Sequence, residues 1–312
     1  MPELTLAHSP DSDDLVMWWP ICGMTLDDGS PMDGPMGSPA IDTGGFVFRP
    51  MAEDVEVLNR RAIEVGDLDI TAISAHTYPH IKVRYRITDC GGSFGEGYGP
   101  KVVVREGDPR FADGVAGLLE DGVSIAVPGL KTSAFLALSL LLREIDASRP
   151  VRAVEMPFQE IIAAVQRGDV DAGLLIHEAQ LTFADAGLRK VVDLGQWWGG
   201  EDGSPLPLGL NVIRRDLDDR FGEGTCRKVS RILSESVRYA VEHESESRAF
   251  LKMRGEGRPE WNDEALVNTY LSMYVSGLTR SMGSAGIEAL RRLLGAGAEA
   301  GLCPDPGEID VV

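Results

Sequence analysis

The stretch Ala172-Gly173-Leu174-Leu175-Ile176-His177-Glu178 decides how the rest of the chain is read. An apolar run flanked by Gly168-Asp169-Val170-Asp171 and by a polar helix start has the form of an interior parallel strand. In open α/β sheets ligands gather at the carboxyl ends of strands, and His177 stands at that end. Imidazole both takes and gives a proton near neutral pH, so His177 is a candidate general base. A structural histidine bonded to a neighbouring carbonyl is the alternative, and on this stretch alone it comes first.

Working outward, the segment on each side alternates strand and helix. Val123 to Val127 reads as a strand, Pro128 to Ser133 as a turn, and Ala134 to Ile145 as an apolar helix. Val151 to Glu155 is a strand, Pro157 to Gln166 a helix, Glu178 to Ala186 a helix, and Lys190 to Leu194 a strand. Thr132 and Ser133 open a helix with two hydroxyls, backbone N–H groups and a positive dipole end. Such a start binds an anion or simply caps its own helix.

The first hundred residues carry the same alphabet. Leu4 to Ala7 alternates as a strand, His8 to Asp14 is a polar turn, and Leu15 to Ile21 is apolar and helix-like. Residues 23–45 are rich in Gly, Pro, Met, Ser and Asp, which predicts a long loop: a cleft-covering lid or a disordered insertion. Glu53 to Ile63 has helical spacing, Leu68 to Ile73 alternates, and Ser74 follows at another strand end. Tyr85 to Thr88 is a strand. The run Gly91 to Pro100, which includes Gly97, matches neither a phosphate loop nor a dinucleotide fingerprint, and its glycines suit unusual backbone angles or close approach to a ligand. Lys101 to Arg105 is a strand, and Glu106-Gly107-Asp108-Pro109 marks a turn into a second domain. After Gln196-Trp197-Trp198, the run Ser204 to Ile213 reads as the return crossing. Arg227 to Glu242, Glu264 to Val275 and Gly286 to Gly301 form a helical tail packed on the first domain.

These crossings predict a hinged α/β protein of two lobes: residues 1–106 for the first part of lobe I, 107–203 for lobe II, and 204–312 for the return to lobe I with the terminal helices. This is a two-lobed periplasmic-binding-protein-like (type II) fold with an inter-lobe cleft. Fold by itself does not separate binder from enzyme.

Composition bounds the function. With 312 residues, 43% hydrophobic and 25% charged, the chain has the makeup of an ordinary globular protein. A net charge of -19 offers no basic stripe for nucleic acid. No run of about 18 apolar residues suggests a membrane span, and the N-terminus lacks the pattern of an export signal, so a cytoplasmic protein is expected. Cys22, Cys90, Cys226 and Cys303 are scattered without metal-ligand spacing, which predicts reduced thiols and no structural metal. Whether the chain forms a homodimer is left open.

Several motifs, in order, carry a resemblance. They are Glu53 to Arg60, Gly97-Tyr98-Gly99-Pro100, Val127-Pro128-Gly129, Asp171 to Glu178, Val192 to Trp198, and Pro205-Leu206-Pro207-Leu208-Gly209. Across nearly the whole chain they resemble the 1,4-dihydroxy-6-naphthoate synthases of the futalosine route to menaquinone. The resemblance implies a binding-protein fold turned enzyme, which cleaves cyclic dehypoxanthinyl futalosine without an added cofactor. It implies His177 as the general base. Thr132, Ser133 and Ala134 match the family's Thr-Thr-Ala helix start and are expected to hold substrate oxygens. Ser74 matches a cleft serine, and Gly97 is carried with the glycine-rich motif. Glu178 either orients His177 or starts the next helix, and Trp197 either stacks on the aromatic substrate or packs under the hinge. The turn at Ser9 to Asp14 departs from the family's Ser-Pro-Cys-Pro-Asn-Asp. Asp13 there replaces an amide by a carboxylate, which removes donors and adds negative charge near a carboxylate substrate. Either the substrate lies differently or Asp13 faces away. The other readings are a non-catalytic solute-binding protein for a small carboxylate, and a relative of the chorismate dehydratase type.

Overall fold

The computed structural model describes residues 1–26, 28–254, 263–274 and 276–312. Two mixed sheets organise them. The first contains β1 (Glu3–His8), β2 (Val47–Ala52), β3 (Ile70–Ser74), β4 (Tyr85–Ile87) and β5 (Ser93–Gly95). The second contains β6 (Lys101–Arg105), β7 (Ile125–Val127), β8 (Ala153–Glu155), β9 (Ala172–Leu175) and β10 (Leu188–Asp193). The chain then returns to the first sheet with β11 (Leu206–Arg214). Strand order is β2-β1-β3-β11-β4 in one sheet, with β5 on β11, and β10-β6-β9-β7-β8 in the other.

This topology corrects three expectations. β6 lies inside the stretch 1–106 expected for the first lobe, but it pairs antiparallel with both β9 and β10 in the second sheet. Its Val102, Val103 and Val104 are fully buried, and a strand apolar on both faces needs a two-sided core, which the turn at Glu106 to Pro109 did not reveal. β9 is parallel to β7 and antiparallel to β6, so it is interior but not purely parallel. The glycine-rich run holds a short strand, β5, because Phe94 is buried beside β11.

Loop 23–45 also departs from the lid reading. Its backbone bonds to itself and to the end of the first helix, with Met24 N–H donating to Met36 O at 2.7 Å, Met32 N–H to Met24 O at 2.9 Å and Ala40 N–H to Pro20 O at 2.8 Å. Met24 is buried against Leu15 and Trp19, on the far side of helix Ser12–Cys22 from the cleft-lining Asp13. Burial of this methionine ties the loop to the first lobe's own core.

The helices follow the apolar periodicities closely. Helix Val55–Glu64 is capped by Asp54, whose side chain accepts from Glu56 N–H at 2.8 Å. Helix Ser133–Asp146 is capped by Thr132, and its buried Leu136, Leu138 and Leu142 join one core with Leu290, Leu293 and Leu294 of helix Gly283–Glu299. That terminal helix therefore packs on both lobes, where the tail was expected on the first alone. Helix Thr225–Glu242 packs against helix Ser12–Cys22, with Ser236 Oγ donating to Met17 O at 2.7 Å. The helix expected over 264–275 runs Glu264–Tyr274; Val275 lies outside the described residues. No helix among the described residues is long and apolar enough to cross a membrane.

The two chain crossings touch. Leu194 N–H donates to Pro100 O at 2.9 Å. A Cβ on Gly195 would stand 1.8 Å from Tyr98 O, and one on Gly99 would stand 2.5 Å from Gly195 N. Only glycine lets these backbones approach so closely.

Candidate functional site

A cavity of about 510 Å³ opens between the lobes. The first lobe supplies Asp13, Ser74 and Ser93, the return strand supplies Leu208, and the second lobe supplies His177 with the start of helix Ser133–Asp146. A second space of about 390 Å³ shares Asp13, Ser93 and His177 with it and continues past Ser9, Asp14 and Asn211. The two together make one cleft, with His177 and Asp13 at the waist.

His177 is placed by the strand before it. Asp171 accepts from Ser124 N–H at 2.8 Å, from Ser124 Oγ at 2.9 Å and from Arg110 at 2.7 Å, which fixes the entry to β9. Gly173 lets helix Ile161–Arg167 press on the strand; a Cβ there would meet Ile161 Cγ2 at 2.6 Å. Past Leu175 the strand stops, and His177 adopts φ 53, the single positive φ of a non-glycine residue in the described chain. Histidine is enriched in this left-handed region, but such a conformation costs free energy and recurs at functional sites. Its carbonyl then accepts from Gln180 N–H at 3.2 Å and begins the short helix Ala179–Thr182. The expected helix over 178–186 is thus split, ending in a 3-10 turn at Phe183–Ala186.

The imidazole packs on the Phe158 ring at 4.7 Å between centroids, and Nδ1 lies 2.9 Å from Asp11 Oδ2. Burial by itself pushes the imidazole toward its neutral form. The Asp11 carboxylate, by charge and by hydrogen bond, outweighs that with smaller help from Glu178 and Asp13, and holds His177 at about 9. Asp13 moves the other way. Burial first, then Asp14 and Asp11, push its carboxyl well above the usual carboxylate range, partly offset by His177. Burial thus favours its neutral form, which can donate a hydrogen bond as the replaced amide would. It lines the cleft together with His177. Of the two alternatives of the sequence reading, an outward Asp13 does not hold, because Asp13 lines the cleft.

The hydroxyls at the anion-type helix start are occupied. Thr132 Oγ1 donates to Gly129 O at 2.8 Å and accepts from Phe135 N–H at 3.1 Å. Ser133 Oγ donates to Leu208 O at 2.6 Å and accepts from His76 N–H at 3.2 Å. They cap the helix and tie it to the first lobe, so the groups suited to a ligand are the first-turn backbone N–H groups of Ser133 and Ala134. Ser74 is oriented by Asn59: Ser74 N–H donates to Asn59 Oδ1 at 2.8 Å, and Asn59 Nδ2 donates to Ser74 Oγ at 3.1 Å.

Two expected site residues lie outside the cleft wall, and Glu178 takes the second of its two readings, the start of the next helix. Gly97 is exposed at φ 80 and does not line the cleft; it turns the loop that leads to Pro100, which does. Trp197 lies on another surface, where its indole N–H donates to Glu144 at 3.2 Å, and its neighbour Trp198 carries the Arg292 guanidinium over its ring at 4.8 Å. Neither indole is in the cleft wall, because helix Leu194–Gly199 aims them at helix Ser133–Asp146 and the terminal helix. Glu178 accepts from Ser12 Oγ at 3.3 Å, a bond between the lobes. The sequence reading missed Asp11, Ser93, Gln180 and Asn211. Asp11 had a visible signal: it stands just past the carboxyl end of β1, the same kind of position that singled out His177.

Two sheets joined by paired crossings, with the polar groups facing one another across a cleft, define a two-lobed protein of the periplasmic-binding fold. Solved structures agree on this. The aliphatic sulphonate binding protein SsuA from Escherichia coli superposes with a TM-score of 0.60 at 16% identity, covering 99% of this chain and 91% of that one. Protein AF1704 from Archaeoglobus fulgidus does so with a TM-score of 0.75 at 36% identity, covering 96% and 98%. A family model described as menaquinone biosynthesis matches residues 4–299. The 1,4-dihydroxy-6-naphtoate synthase of Thermus thermophilus is 36% identical over 260 residues, 83% of this chain and 87% of the relative. That of Streptomyces coelicolor is 32% identical over 271 residues, 87% of each. The chain belongs to this family of menaquinone-biosynthesis enzymes.

Proposed function

We propose that the chain forms 1,4-dihydroxy-6-naphthoate by cleaving cyclic dehypoxanthinyl futalosine, with His177 as the general base. The observation that carries the reading is the placement of His177: a strained residue at a strand end, at the waist of the inter-lobe cleft and 2.9 Å from a buried carboxylate. The substrate's carboxylate suits the backbone N–H groups of Ser133 and Ala134, where the positive end of helix Ser133–Asp146 meets the cavity. The sugar-derived ring suits the polar side past Ser9, Asp14 and Asn211. With Nδ1 turned to Asp11, the proton is taken at Nε2. The electron pair of the broken C–H bond then drives fragmentation of the spirocyclic centre, and the aromatic dihydroxynaphthoate leaves with the sugar-derived piece. Asp13, whose neutral form burial favours, lines the cleft with His177 and is placed to donate to an oxygen that gains charge as the bond breaks.

Purified protein incubated with cyclic dehypoxanthinyl futalosine is expected to release the dihydroxynaphthoate, detected by its absorbance. His177→Gln should lower kcat by about 10²- to 10⁴-fold, the usual contribution of a positioned base, while substrate binding measured by calorimetry persists. A variant as fast as wild type would remove His177 from the chemistry. Tight binding with no product over long incubation would favour a solute-binding protein instead.

A further inference from the structure

Asp11 and His177 come from opposite sides of the cleft. Asp11 follows β1 in the first sheet, and His177 follows β9 in the second. Their contact at 2.9 Å is therefore a bridge between lobes, and the adjacent pair repeats it, Ser12 Oγ donating to Glu178 Oε1 at 3.3 Å.

We propose that Asp11 is the positioning residue of the base, supplied across the cleft so that His177 is oriented only when the lobes are together. The proposal rests on the reading of His177 as the base. A carboxylate on Nδ1 fixes the tautomer, so that Nε2 is the nitrogen presented for proton transfer, and it stabilises the imidazolium once the proton has arrived. Asp11 suits this task because it is 1% exposed, where little water screens it from the ring. Separation of the lobes carries it away and lets water in, which returns His177 to an ordinary imidazole. The other charged groups felt at this point are Asp13 beside Asp11, Glu178 beside His177, and Asp54 at the start of helix Val55–Glu64. Burial pushes both Asp13 and Asp54 toward their neutral forms, and Glu178 holds Ser12. Closing thus sets both the orientation of the imidazole and the pH, near 9, above which its Nε2 is free to take a proton.

The test uses the full-length protein with histidines labelled for NMR, the His177 signal being identified by its loss in His177→Gln. In the wild type, the His177 titration and the rising limb of kcat/KM are expected to share a midpoint near 9. In Asp11→Asn, which keeps the shape of the side chain, both should move down by at least one pH unit toward the ordinary value of about 6.5. Its plateau kcat should fall roughly 10²-fold with KM little changed, and Asp11→Glu should recover part of both. Asp11→Ser is the second variant should the amide perturb folding, with circular dichroism to confirm the fold. An unmoved His177 titration and pH limb in a folded Asp11 variant would overturn the positioning role while leaving the base reading intact. A fully active His177→Gln would instead end the base reading, and the proposed role with it.

Discussion

At the scale of single residues, the Asp11–His177 pair links stability to pH as well as chemistry to pH. His177 is held at about 9, above its unfolded value. A group raised in the folded state contributes stability that is fully present below the unfolded value and is lost as pH rises through the folded one. The pair should therefore support the fold up to about pH 7 and fade between pH 7 and 10. Thermal melts of wild type and Asp11→Asn are expected to differ most near pH 6, by up to about 3 kcal/mol, and to converge near pH 10. A gap that stayed constant over that range would mean that Asp11 acts on the fold without His177. The sequence showed His177 because its residue type and strand-end position are both local properties. Asp11 was hidden inside an acidic turn, since the choice among Asp11, Asp13 and Asp14 depends on which one the second lobe meets.

At the scale of elements, glycine determines how closely the crossings run. Gly195 has Tyr98 O where its Cβ would be, at 1.8 Å, and this neighbour is backbone that cannot swing aside. Gly195→Ala should cost about 3 kcal/mol or more, the upper end for an overpacked site, and denaturant unfolding would show it as a lower midpoint with little change in slope. A variant as stable as wild type would mean that the crossings slide apart freely. Strand and helix periods made most of the longer elements legible, but not β2, β5 or helix Glu244–Met253. Two gaps in that reading share a cause. β6 looks the same whichever sheet it joins, because Val102 to Val104 state only that the strand is buried. Trp197 stayed open between stacking and packing because a tryptophan pair near a cleft motif does not reveal which way its short helix faces.

At the scale of the whole molecule, the structure is a closed one, held by several bonds between lobes. Glu56, on the first lobe, accepts from Lys131 N–H at 3.2 Å in the turn before helix Ser133–Asp146, and Arg60 pairs with both Glu56 and Glu155. Exposed pairs such as Arg60–Glu155 contribute little. Glu56 is buried and also accepts from Asn59 Nδ2 at 3.1 Å, so its loss leaves buried donors without an acceptor. Glu56→Ala should open the lobes, seen as a larger radius of gyration in X-ray scattering, and raise KM about 10-fold if opening costs roughly 1.4 kcal/mol. An unchanged radius would show that closure rests on the terminal helix and the site itself.

What the sequence determined by itself was most of the longer elements, the two-lobed fold class and the residues at the strand ends, because hydrophobic period, glycine placement and capping residues act over a few positions. Only the tertiary structure decided which side chains meet across the cleft: Asp11 on His177, Ser12 on Glu178, and Ser133 on the return strand rather than on a ligand. Those contacts join residues far apart in the chain, and their energetics depend on the burial that closure creates. The same acidic turn exposed to water would carry ordinary carboxylates; buried against His177, it supplies a partner for the imidazole and a carboxyl that burial pushes toward its neutral form.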